Sequence, residues 1–209
     1  TDYAMGNITI SAGSTDGTTT FNPTPDDLYD AASAETATIA VTNVSGGSAS
    51  ENSTPQQVSI TLTDNESAPT VTLATSADSA TEDGSDLTLT GTLSGATYAD
   101  VTITLTGTGT ATDDTDYAMG NITISAGSTD GTTAFNPTPD DLYDAASAET
   151  ATIAVTNVDG GSASENSTPQ QVSITLTDND SAPTITIASS ESSVSESGSN
   201  LTITATASV

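Results

Sequence analysis

The sequence contains no lysine, no arginine and no histidine, and this absence excludes several classes of function. Its 209 residues include 28 aspartates and glutamates, so the formal charge is −28. A chain without positive side chains releases no counterions from phosphates, which excludes nucleic acids as expected partners. It also offers no basic patch to an anionic membrane, so we expect no membrane contact from this segment. Because internal salt bridges cannot form, every carboxylate has to be solvated, hydrogen-bonded or matched by a cation from solution.

Cysteine and tryptophan are also absent, and aromatic residues make up only 3% of the chain. Without Cys and His there is no disulfide, no ordinary zinc site and no Ser-His-Asp or Cys-His catalysis. We therefore predict that the protein is not an enzyme. Apolar residues amount to only 33%, and high charge with low hydrophobicity is typical of disorder.

The chain repeats itself with a period of 114 residues, because 1–66 match 115–180 except at three positions. Residues 67–95 match 181–209 more loosely. A unit of this length is the size of a whole domain rather than of a solenoid repeat. We predict the C-terminal part of one repeat at 1–66, a complete domain at 67–180 and the N-terminal part of the next repeat at 181–209. Because the chain opens without an initiator Met, we expect it to be a piece of a longer protein.

Apolar residues alternate with polar ones, mostly threonine, in seven short segments of the complete unit. Alternation with a period of two is typical of half-buried strands, and threonine suits their exposed face. A random polar sequence would not keep this pattern, which argues against disorder. The segments predict an all-β, two-sheet sandwich. The predicted strands are 70–75, 86–93, 100–107, 120–125, 131–136, 149–157 and 170–178.

The acidic residues are concentrated in the predicted loops and at strand ends rather than inside the strands. Carboxylates that are close in sequence repel one another unless a cation lies among them. Ca²⁺ accepts six to eight oxygen ligands on flexible loops, whereas Mg²⁺ needs a rigid octahedron and zinc prefers nitrogen or sulfur ligands. The pattern therefore favours calcium. The alternative is that these are ordinary Asp and Asn turn residues whose acidity serves solubility.

The order of the motifs in the complete unit resembles the Calx-beta domain. A Glu before a Gly comes first, at Glu82, and Asp116-Tyr117 follows with Gly120-Asn121-Ile122-Thr123-Ile124. An acid pair, a Glu that opens a long strand and a closing strand that ends in Asp-x-Asp complete the order, at Asp140-Asp141, Glu149 and Asp178-Asn179-Asp180. The resemblance covers about 69 to 180. It implies seven-stranded immunoglobulin-like sandwich domains in tandem, with calcium bound in the loops at one end.

The resemblance also implies which residues hold the ions. In the complete unit they are Glu82, Asp116, Asp140, Asp141, Asp178 and Asp180, with Asp144 and Glu149 as further candidates. The matching residues of the first, partial copy are Asp2, Asp26, Asp27, Asp30, Glu35, Asp64 and Glu66, and in the third copy Glu196 matches. The stretch after the acid pair is poorer in Glu than the family pattern, so we expect one to three ions per domain.

The sequence predicts a calcium-stabilised spacer segment of a long secreted or cell-surface protein of the bacterial adhesin or matrix kind. Near-identical modules favour this interpretation because the number of modules determines how far the protein extends. The predicted partners are neighbouring repeats of the same chain, and also head-to-tail neighbouring chains. One alternative is that the domains are adhesive or self-associating, through exposed edge strands or threonine faces. A calcium sensor is a further alternative. Because Trp is absent and the repeat is nearly exact, a glycosidase that uses paired acids is disfavoured.

Overall fold

The computed structural model of the protein describes residues 2–30, 34–52, 55–143, 148–167 and 169–208. Within them the first partial copy contains five short strands: β1 (Tyr3–Met5), β2 (Phe21–Pro23), β3 (Leu28–Tyr29), β4 (Glu35–Ala40) and β5 (Gln57–Leu62).

The central part of the chain contains eleven strands. They are β6 (Thr70–Thr75), β7 (Ser79–Thr81), β8 (Leu87–Leu93), β9 (Ala96–Thr97), β10 (Val101–Gly109), β11 (Tyr117–Met119), β12 (Ile122–Ile124), β13 (Asp130–Pro137), β14 (Glu149–Asp159), β15 (Ser164–Glu165) and β16 (Gln171–Thr177). The last segment adds a hairpin of β17 (Ile185–Ser189) and β18 (Ile203–Ala207).

Ten of the central strands form two five-stranded sheets. One sheet has the order β12-β10-β14-β16-β7, and the other has the order β11-β13-β8-β6-β15. Most neighbouring strands are antiparallel, but the edge strands β7 and β15 pair in parallel with β16 and β6. The chain therefore folds as an all-β sandwich, which confirms the predicted fold class.

The core between the two sheets follows directly from the alternation in the sequence. Val101, Ile103 and Leu105 of β10 are buried, whereas the threonines between them are only half-buried. Tyr117 and Phe135 stack with ring centroids 4.5 Å apart inside this core. Both sheets contribute to one apolar cluster, which includes Val71, Leu73, Leu87, Leu89, Leu93, Val101, Ile103, Leu105, Ala111, Tyr117, Ile122, Ile124, Phe135, Ala151, Ile153, Val155, Ile174 and Leu176.

The seven predicted strands are confirmed as β6, β8, β10, β12, β13, β14 and β16, with ends that differ by at most two residues. The structure adds the short strands β7, β9, β11 and β15, which the sequence analysis did not predict. Each of the four has only two or three residues, so the alternation in it is too short to distinguish from a turn. One of them, β7, ends directly before the acidic residue Glu82.

The first copy contacts the central part of the chain through a short parallel pair. β3 pairs with β9, with Leu28 opposite Ala96 and Tyr29 opposite Thr97. The other strands of the first copy pair among themselves, β1 with β2 and β4 with β5. None of the described segments is a helix long and apolar enough to cross a membrane.

Candidate metal centre

The parallel pairing of β7 with β16 brings two acidic residues to the same edge of the sandwich. Thr81 lies opposite Thr177 in this pair. Glu82 and Asp178 are the next residues of the two strands, and the Glu82 N–H donates to the Thr177 carbonyl at 3.2 Å. Because parallel strands run in the same direction, residues that follow paired positions emerge side by side. Two residues that are far apart in sequence are therefore neighbours at this edge.

A tight turn after β16 adds a third carboxylate. The Asp180 N–H donates to Asp178 Oδ1 at 2.6 Å, which folds the Asp178-Asn179-Asp180 segment back on itself. Carboxylate oxygens of Glu82, Asp178 and Asp180 then all lie within 4.8 Å of one another. All three side chains are half-buried. We call this group the acidic triad.

The electrostatics of the acidic triad are unfavourable when only the protein is present. Burial raises the pKa of the Glu82 carboxyl, and the carboxylates of Asp140, Asp178, Asp180 and Glu149 raise it further. Burial likewise raises the pKa of Asp180, helped by several neighbouring carboxylates, of which Asp178 has the largest effect. A raised pKa means that the fully deprotonated form of this group of carboxyls is destabilised. A bound cation would offset that destabilisation.

One oxygen of the acidic triad has no hydrogen-bond partner in the described residues. Asp180 Oδ2 is buried from solvent, and no donor reaches it. A buried carboxylate oxygen without a partner is costly, because its lost hydration is not replaced. The oxygen-only donor set of clustered carboxylates suits Ca²⁺, which binds through carboxylates and carbonyls at about 2.3–2.6 Å. The residues present therefore fit a hard divalent cation.

The predicted ligands Asp140, Asp141 and Glu149 lie around the acidic triad. Glu149 begins β14 opposite Leu176 of β16, so it lies at the same edge of the sheet. Asp140 acts electrostatically on both Glu82 and Asp180, and Asp141 acts on Asp180. Asp140 also closes a turn of its own, because its Oδ1 accepts the Leu142 N–H at 2.6 Å.

Asp116, another predicted ligand of the complete unit, is not part of the acidic triad. Asp116 lies beside β11, and its Oδ2 accepts the Thr112 N–H at 2.6 Å. That bond closes the loop before Tyr117, which gives Asp116 a local structural role. Asp144 lies outside the described residues.

The first copy repeats the same turns without the front strands of a complete unit. Asp26 Oδ1 accepts the Leu28 N–H at 2.9 Å, and Asp64 Oδ1 accepts the Glu66 N–H at 3.1 Å. Asp64 Oδ2 accepts the Asp30 N–H at 2.9 Å. A hydrogen bond between the carboxyl groups of Asp64 and Glu66 lowers the pKa of Asp64 and raises that of Glu66.

The remaining predicted ligands of the partial copies are exposed, and they lie in different parts of the chain. Asp2 precedes β1 and Asp27 precedes β3, and both are exposed. Glu35 begins β4, and Glu196 lies in an exposed turn between β17 and β18. The structure also shows an acid that the sequence analysis did not select, because Asp83 helps to raise the pKa of Asp180. Its position directly after Glu82 was the available signal.

The class of protein that these features define is an all-β sandwich with an acidic, cation-compatible edge. No known family model matches the chain, and a comparison with curated proteins finds no match either. Among solved structures, the chain is similar to the apo-form CBD1 domain of Calx, with 16% identity and a TM-score of 0.42, over 53% of this chain and 99% of that one.

Two further structures are similar to the chain. CBD12 from CALX1.2 has 16% identity and a TM-score of 0.42, over 52% of this chain and 44% of that one. A two-domain protein of unknown function from Bacteroides fragilis has 10% identity and a TM-score of 0.42, over 58% of this chain and 55% of that one. The two Calx structures are Calx-beta domains, the family that the sequence motifs resemble.

Proposed function

We propose that this chain is a calcium-stabilised structural spacer of a long secreted or cell-surface protein. The observation that carries the proposal is the acidic triad of Glu82, Asp178 and Asp180, whose carboxylate oxygens lie within 4.8 Å of one another. The chain has no Lys, Arg or His to neutralise them. The cation therefore has to come from solution, and the oxygen donors select calcium.

The position of the acidic triad supports a structural role. It joins the end of β16 to the end of β7, and β7 is held at the sheet edge by only three register pairs. An ion bound there would fasten the edge strand to the sheet. The Asp178-Asn179-Asp180 turn also leads directly into the following segment. An ion in the acidic triad would therefore restrict the connection between consecutive units as well.

The repetition of the sequence supports a spacer rather than a specialised binding domain. Residues 1–66 and 115–180 differ at three positions only. Equal modules set a length, whereas a unique binding site would call for one distinctive module. The predicted dependence on calcium also favours a location outside the cell, where free calcium is far more abundant than in the cytoplasm.

Calorimetric titration of the full chain with Ca²⁺ tests the proposal. We expect Asp180→Asn to weaken calcium binding by on the order of tenfold or more, because it removes a charged ligand while keeping the side-chain shape. Asp86→Asn is the matched control, since Asp86 is exposed on the turn before β8. It removes the same charge away from the acidic triad, so calcium affinity should barely change.

Two results would contradict the proposal. One is a calorimetric trace in which the unmodified chain shows no calcium binding. The other is an equal loss of affinity in both variants, which would mean that calcium only screens the net charge.

A further inference from the structure

The contact between the first copy and the central unit is specific in both its backbone and its side chains. β3 and β9 form a two-residue parallel pair, and the Tyr98 N–H donates to the Tyr29 carbonyl at 3.3 Å. The Tyr98 hydroxyl donates to Asp26 Oδ2 at 2.8 Å. Leu28 and Tyr29 are half-buried there. The segment 96–98 thus fits against the segment 26–29.

The segment 26–29, which contacts 96–98, occurs a second time in the chain. Residues 134–143 repeat 20–29 except for Ala134 in place of Thr20, so Leu142 and Tyr143 correspond to Leu28 and Tyr29. The local turn is also repeated, because Asp140 accepts the Leu142 N–H as Asp26 accepts the Leu28 N–H. Leu142 is nevertheless 73% exposed and Tyr143 44% exposed. An apolar pair that is covered in one copy is therefore open in the other.

We propose that Asp140, Leu142 and Tyr143 form a docking edge for another repeat of the same kind, which binds through its Ala-Thr-Tyr segment. The occupant adds a two-residue parallel strand beside Leu142 and Tyr143, and its phenol donates to Asp140 Oδ2. The observed pairing of β3 with β9 shows the geometry that we expect at the docking edge. The repetition of the sequence indicates that the binding partner is the equivalent segment of another repeat.

The chemistry of this contact suits a chain without positive side chains. A carboxylate at a junction ordinarily pairs with Lys or Arg, and neither is present. A tyrosine hydroxyl is a neutral donor that still forms a charge-assisted hydrogen bond with a carboxylate. The parallel backbone pair fixes the register of the junction without any charge. Asp26 and Asp140 are also predicted calcium ligands. One aspartate of each repeat would therefore take part in both docking and metal binding.

The test compares the chain with a longer one that carries a third Ala-Thr-Tyr segment. The longer chain is the full 209-residue protein followed by the sequence of 96–180, which completes the unit begun at 181–209. The probe is tetranitromethane in chelator, and mass spectrometry follows the nitration rate of each tyrosine. In the 209-residue chain, cleavage after Met119 leaves Tyr143 as the sole tyrosine of its fragment.

In the 209-residue chain we expect Tyr143 to be nitrated faster than Tyr29. In the longer chain the nitration rate of Tyr143 should fall to about that of Tyr29.

Variants of the 209-residue chain keep the proposal testable if the added segment fails to fold. Tyr98→Phe removes the phenol from the seated junction and should raise the nitration rate of Tyr29 by about fivefold, as loss of one hydrogen bond predicts. Asp26→Asn should act in the same way. Asp140→Asn is the matched control and should leave Tyr29 unchanged. Far-UV circular dichroism checks that each variant stays folded.

Either of two outcomes would overturn the proposal. The first is a folded longer chain in which Tyr143 reacts as fast as it does without the addition. The second is an unchanged nitration rate of Tyr29 in both Tyr98→Phe and Asp26→Asn. That result would mean that the hydrogen bond between Tyr98 and Asp26 does not stabilise the contact between β3 and β9. Because chelator is present throughout, neither outcome depends on calcium binding.

Discussion

At the scale of single residues, the chain is governed by carboxyl groups that have no positive partner. Glu82, Asp178 and Asp180 were predicted as ligands from the order of the motifs, and the structure brings these three together. The buried, unpaired oxygen of Asp180 was not predictable, because burial at a turn depends on strands that are distant in sequence. The Tyr98 contact with Asp26 was likewise not predictable, since no pattern links positions 72 residues apart.

Tyr117 shows a second unpaired polar atom, with a different consequence. Its hydroxyl is buried against Gly107 without a hydrogen-bond partner in the described residues. Burial, together with Asp113 and Asp116, raises the pKa of this phenol. We predict that Tyr117→Phe leaves the free energy of unfolding unchanged or raises it by up to about 1 kcal/mol, because an unsatisfied buried hydroxyl is removed and the ring stays. Urea unfolding in chelator measures the change.

The control for this prediction is the partner of the aromatic stack. Phe135→Ala empties part of the core and should lower the free energy of unfolding by about 3–5 kcal/mol. If Tyr117→Phe destabilised the protein by more than about 1 kcal/mol, the hydroxyl would have a hydrogen-bonding role after all.

At the scale of the strands, alternation predicted the long elements well and the short ones not at all. β8, β10 and β14 each keep a period of two over seven or more residues. β7 contains one small apolar residue, Ala80, between two polar ones. Its pairing is decided by contact with β16, which is about a hundred residues further along the chain. The strand that positions Glu82 is therefore one of the four that the local sequence did not predict.

At Gly91, β8 packs closely against Ile103 of the opposite sheet. A Cβ at this position would collide with Ile103 Cδ1. Because the core is closely packed, we predict that Gly91→Ala lowers the free energy of unfolding by about 1–3 kcal/mol. Gly95→Ala is the matched control, since a Cβ there would meet nothing within 4 Å. Urea unfolding of both variants checks the prediction, and equal effects would contradict the packing argument.

At the scale of the whole molecule, the net charge of −28 makes stability depend on pH and on cations together. The raised pKa values of Glu82 and Asp180 mean that these two carboxyl groups bind protons more tightly in the ion-free folded state than in the unfolded state. The free energy of unfolding therefore rises in chelator as the pH falls toward the ordinary values of 4.5 for Glu and 3.8 for Asp. With calcium the sign reverses, because ligation requires deprotonated carboxylates.

We accordingly predict opposite pH trends in the two conditions. As the pH falls from about 7 toward the ordinary values of 4.5 for Glu and 3.8 for Asp, the urea concentration at the unfolding midpoint should rise in chelator and fall in calcium. The same series of buffers at constant ionic strength measures both trends. Parallel trends would mean that no calcium is bound through these carboxylates.

Thermal unfolding of the full chain in millimolar Ca²⁺ and in chelator decides whether calcium stabilises this fold. Matched ionic strength, and Mg²⁺ in place of Ca²⁺, separate specific ligation from screening. We predict that calcium raises the Tm by about 10 °C, as expected for a ligand well above its dissociation constant, and that Mg²⁺ does much less. An identical Tm in calcium and in chelator, or an equal rise with Mg²⁺, would contradict the claim that calcium fastens this fold.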